Sequence, residues 1–121
     1  MKIIKADFGT FTFLDEQTVA ATANHGVEID RTKAQYAIDL IEKEMPADYG
    51  IILDRKADYS VAPIEVYQFF ASQERLKAIA IVTYNRRDFL PDNLEEKLFG
   101  SSIQKFASIM EAHNWIKYII A

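Results

Sequence analysis

Ile51-Ile52-Leu53-Asp54-Arg55-Lys56-Ala57-Asp58-Tyr59-Ser60-Val61-Ala62-Pro63 is an apolar run that stops at an aspartate, crosses a polar loop and restarts at a proline. It reads as strand, loop and helix, because branched apolar residues favour a strand covered on both faces and proline is tolerated in the first helical turn. In an open α/β sheet, ligands collect at the carboxyl ends of strands, so the loop from Asp54 to Ser60 is the first place to look for function.

Working back from it, the first third of the chain alternates apolar and polar residues with a period of two: Ile4 to Phe8, Thr10 to Phe13 and Thr18 to Thr22. Three strands are predicted. Asp15-Glu16-Gln17 has hairpin length, and Gly9 allows a bend or bulge between the first two strands, so the start is antiparallel. Asp30 is placed to cap a helix whose apolar positions Ala34, Ala37, Ile38, Ile41 and Met45 follow helical spacing until Pro46. Beyond the central loop, Ile64, Tyr67, Phe70 and Ala71 share one face of a second helix, leaving Val66 and Phe69 off that face and partly exposed. A homodimer through those two residues is one expectation.

Leu76 to Tyr84 forms the next buried strand, Pro91 opens a short helix through Leu94 and Leu98, and Ile103 to Phe106 makes a last strand. Ser108-Ile109-Met110-Glu111 is a capping box for a final helix carrying Ile109, Ala112 and Ile116. The order predicts an α/β fold over residues 1–121 as a single domain: a mixed sheet with antiparallel strands first, then parallel βαβ units and about four helices.

Composition narrows the function. Half of the residues are hydrophobic, which suffices for one sizeable core, and the net charge of −4 argues against nucleic acid, whose phosphates need clustered Lys and Arg. The chain has no cysteine, which removes disulfides, thiol nucleophiles and zinc-thiolate sites and points to a reducing cytoplasm. Lys2 and Lys5 charge the amino terminus, and no apolar run approaches the ~20 residues of a spanning helix, so neither a signal peptide nor a membrane span is expected. The four glycines are isolated, which leaves no phosphate-cradling loop. His25 lies in a polar loop and His113 has no second ligand at metal spacing, so no metal site and no cofactor are expected.

From Asp54 onward the residues resemble the SpoIIAA-like group of small bacterial proteins, whose fold is related to the STAS domain of anti-sigma factor antagonists and to the CRAL-TRIO lipid-binding domain. The likeness is carried by Asp54, Tyr59-Ser60, Pro63 with Glu65, Ala71-Ser72, Glu74, the strand Ala78 to Val82, Glu111-Ala112 and Trp115-Ile116. It implies two functions. In STAS antagonists a serine before the second helix is phosphorylated, and Ser60 sits in about that place, although the Asp-Ser-Ser-Gly-like pattern is missing. SpoIIAA-like proteins also resemble carriers of small nonpolar or lipid-like ligands, which here implies an apolar cavity bounded by Tyr67 and Phe70.

With the central strands parallel, Asn24 and His25, the loop residues Asp54, Arg55, Asp58, Tyr59 and Ser60, and Asn85 with Arg86 meet along one rim for a ligand or protein partner. The competing assignment is that Ser60 and Asp58 cap the turn and helix. Arg86-Arg87 beside Phe89-Leu90 combines charge with an apolar tip, a pattern suited to peripheral membrane contact. No nucleophile-and-base set accompanies Asp54 and Asp58, so a noncatalytic binding or regulatory domain is expected.

Overall fold

In a computed structural model, residues 2–85 and 102–121 are described. Strands β1 (Lys2–Ala6), β2 (Gly9–Phe13) and β3 (Thr18–Ala23) pair antiparallel; β3, β5 (Tyr49–Asp54), β7 (Leu76–Val82) and β8 (Ile103–Phe106) then pair parallel, giving the order β1-β2-β3-β5-β7-β8. Strands β4 (Glu28–Ile29) and β6 (Ser60–Val61) form a separate parallel pair. The helices are α1 (Arg31–Glu44), α2 (Pro63–Ala71) and α3 (Ile109–Ile120). The helix expected from Pro91 to Leu98 lies outside the described residues, as do Arg86, Arg87, Phe89 and Leu90. Among the described residues, no helix is long and apolar enough to cross a membrane.

The parallel strands separate two cores because successive side chains point to opposite faces. Ile51, Ile79 and Ile81 face Ile38 and Ile41 of α1 and Val66, Tyr67 and Phe70 of α2. Their neighbours Ile52, Ala78, Ala80 and Val82 face Ala112 and Ile116 of α3. The alanines let α3 lie close to the sheet. Gly50 takes this furthest: a Cβ there would stand 2.6 Å from Ile116 Cγ2.

The helix ends have local causes. Asp30 accepts the Lys33 N–H at 2.9 Å to cap α1, and Met45, forced toward extended backbone by Pro46, ends it. Arg75 then ties down the following turn by donating to the carbonyls of Glu42, Met45 and Ala47. Its guanidinium lies 5.7 Å from the Tyr49 ring centre, and the Tyr49 hydroxyl donates to Glu42 at 2.8 Å. Ser108 accepts from the Glu111 N–H at 3.2 Å, which makes one half of the capping box.

Helix α2 departs from the sequence reading. Val66 and Phe69 are buried with Tyr67 and Phe70, whereas Ile64 is 60% exposed. Phe69 lies beneath the Arg31 guanidinium at 5.5 Å, so this helix is covered by α1 as well as by the sheet. The dimer surface expected from Val66 and Phe69 is therefore inside the fold.

Candidate functional site

Register places the carboxyl ends of β3, β5 and β7 at one edge, since Ala21 pairs with Leu53 and Leu53 with Ile81. Asn24, His25, Asp54 to Ser60 and Asn85 consequently share a rim. Two open grooves run along it, a mixed one of about 370 Å³ between Thr12, Thr22, His25 and Lys56, and a polar one of about 310 Å³ between Arg55, Asp58 and Tyr84. Of the expected rim, Arg86 alone falls outside the described residues.

Asp54, Arg55 and Tyr59 of the rim use their side chains to hold the loop. Asp54 is buried, and its Oδ1 accepts from the Lys56 N–H at 3.2 Å and the Tyr84 hydroxyl at 3.0 Å. The Tyr59 hydroxyl donates to the Asp54 carbonyl at 2.9 Å, and burial pushes it up to about 12. Burial, followed by the Asp54 hydrogen bond, also raises the Tyr84 hydroxyl above its ordinary value. Arg55 donates to the Tyr59 carbonyl at 2.7 Å, with its guanidinium 4.7 Å from the centre of that ring. Asn24 donates to the Asp7 carbonyl at 3.1 Å, while the Asp58 carbonyl accepts the Gly26 N–H at 2.7 Å. His25 and Asp58 are exposed.

Ser60 is exposed and belongs to a strand rather than a loop: its N–H donates to the Val27 carbonyl at 2.9 Å and it pairs with Glu28. Neither Ser60 nor Asp58 caps α2. The cap position is Ala62, which has no side-chain hydrogen bond, and Pro63 follows without an N–H. Among the described residues, no group of three His, Asp or Glu side chains is placed to hold a metal ion.

A further concavity is apolar and lies between α1, α2 and the sheet. Its walls come from Phe11, Ala21, Ile51, Ala34, Ala37 and Phe70, and it encloses about 50 Å³ of free space. It exists because Ala21 and Ala23 on β3 face Ala34 and Ala37 on α1, leaving volume that longer side chains would fill. Phe8, on the β1–β2 turn, packs edge-on against Tyr36 of α1 at 5.8 Å at one end. Phe70 borders this space. Tyr67 does not: it is buried deeper, edge-on to Phe70 at 6.0 Å. The alanine positions were the sequence signal for the cleft, and a search for reactive residues passes over them.

No protein-family model matches the chain, and no curated protein matches its sequence. A solved structure does match: an uncharacterised protein of the DUF3478 family with a SpoIIAA-like fold, from Shewanella loihica PV-4, with a TM-score of 0.57 over 95% of this chain and 90% of that one. This chain has a SpoIIAA-like fold. At 10% identity the likeness concerns backbone path alone, so the cleft and rim stand on the residues of this SpoIIAA-like chain itself.

One polar contact locks the hairpin to α3 and has a defined pH response. His113 Nε2 lies 2.7 Å from Asp15 Oδ2, and Gln17 donates its N–H to Asp15 Oδ1 at 2.8 Å. Burial opposes ionisation of Asp15, but the His113 hydrogen bond and the Gln17 N–H outweigh it and hold the carboxyl below its ordinary 3.8. A lowered native pKa means the contribution is complete above 3.8 and disappears as pH falls through the native value. Asp15→Asn is expected to be less stable than the parent at neutral pH, with the gap closing below about pH 4 in urea titrations.

Proposed function

We propose that this chain is a noncatalytic binding domain that holds a small apolar molecule in the cleft beneath α1. The observation that carries this reading is the alanine-lined space itself, an apolar concavity between α1, α2 and the sheet. The use of Asp54, Arg55 and Tyr59 to brace the loop supports a binding rather than a reacting rim. Size sets the ligand class. At roughly 10–15 Å³ per water-sized group, the space favours a short branched fragment over a lipid chain.

Native mass spectrometry of protein purified from its own host tests this. A small added mass that leaves on denaturation, and that is missing from Ala37→Leu, is the expected result; no added mass in either protein contradicts it. A second reading, a phosphoswitch, is favoured by the exposure of Ser60 three residues before Pro63. It requires a phosphate that persists through denaturation and is absent from Ser60→Ala.

A further inference from the structure

We propose that the cleft selects an anionic apolar ligand, a short branched carboxylate whose acid group meets Lys33; this rests on the binding reading above. Among the described residues, Lys33 is the one charged residue of the cleft's lining, and no acidic residue shares the lining with it. It stands on the first turn of α1, beside a space bounded, apart from Thr22, by alkyl and aromatic residues. Its Nζ lies 3.8 Å from Asp30 Oδ2, the outer limit of an ion pair, with side chains 36% and 40% exposed. Such a contact is weak and readily exchanged for a second carboxylate. Asp30 is also occupied elsewhere, because its Oδ1 caps the helix by accepting the Lys33 N–H.

The arrangement suits a molecule with one charged end and a compact apolar body. Lys33 lines the cleft with its side chain 36% exposed, and a lysine that packs its alkyl stem on apolar surface keeps its ammonium group near water, so a carboxylate binds there without losing all of its hydration. The apolar remainder displaces water, or fills empty space, between Ala34, Ala37 and Ile51. A neutral isostere of the same shape keeps the second contribution and loses the first.

The experiment is a methyl-NMR titration of the full chain with isobutyrate and, separately, with isobutyramide. At neutral pH and low salt the acid is expected to bind about tenfold more tightly than the amide, as one charge-assisted contact provides. Lys33→Gln is expected to bring the acid to the affinity of the amide, while Ala37→Leu blocks both. Equal affinities in the parent, or an acid preference that survives Lys33→Gln, overturn the carboxylate assignment and leave the apolar site standing. If neither molecule shifts the cleft methyls, the binding reading itself fails.

Discussion

Ile51→Ala is expected to destabilise the chain by about 2–5 kcal/mol and at the same time to admit larger apolar molecules into the cleft. Ile51 is buried between the sheet and α1 and forms part of the cleft wall, so truncation removes packing and adds to a space that already exists. Its neighbour supplies the control. Ile52 is equally buried but points to the other face, where it packs with Ile116 and Ala112 under α3. Ile52→Ala is expected to cost a similar amount in urea denaturation and to leave ligand size preference unchanged. Equal changes in binding from both variants would mean that the two cores are not separate. The pair thus converts the two-residue period of β5 into a functional readout.

Gly9→Ala is expected to cost about 3 kcal/mol, at the upper end of the range for overpacking a tight site. Gly9 pairs with Ala23 at the beginning of β2, and a Cβ there would collide with the Thr22 carbonyl oxygen and stand 3.1 Å from Ala23 Cα. Both neighbours are backbone, so relief requires β2 and β3 to part. That movement shifts Ala21 and Ala23 in the cleft and Asn24 at the rim, and weaker ligand binding should accompany the lowered urea midpoint. Gly26→Ala makes a useful comparison because its Cβ meets nothing within 4 Å, although its φ of +81° strains an L-residue by roughly 1–2 kcal/mol. A smaller loss at Gly9 than at Gly26 would refute the close-approach account.

The strands and long helices were legible because each has a period that residues along it sustain. Alternation from Ile4 to Thr22 gives the antiparallel start, the spacing Ala34, Ala37, Ile38, Ile41 gives α1, and Ser108 with Glu111 marks α3. Helix α2 was read on an arc that is only half right: Tyr67 and Phe70 are buried as read, whereas Ile64 and Ala71 are exposed and Val66 and Phe69 are buried in their place. In nine residues pressed between α1 and the sheet, Val66 and Phe69 compete with Ile64 for the buried side, and periodicity cannot choose among overlapping apolar arcs. Strands β4 and β6 have two residues each, too few for any pattern, yet they fix Ser60 in a pair with Glu28.

The rim was legible for a topological reason: once β3, β5 and β7 run parallel, the segments after Ala23, Asp54 and Val82 must emerge at one edge. The sequence does not say that Asp54, Arg55 and Tyr59 would spend their polar atoms on one another across the loop. The cleft was harder still, because it is a deficit of volume where two pairs of alanines from distant parts of the chain meet. Only the packing of α1 over β3 brings them together.

The central claim is that the space beneath α1 is an apolar binding site. Methyl NMR under xenon pressure tests it most directly, since xenon enters dry apolar cavities without needing a polar partner. Saturating shifts confined to Ile41, Ile51, Leu53 and Val66, with Ile116 and Val82 unmoved, are the expected result. Shifts centred on Ile116 and Val82, or none at the cleft methyls, would contradict it.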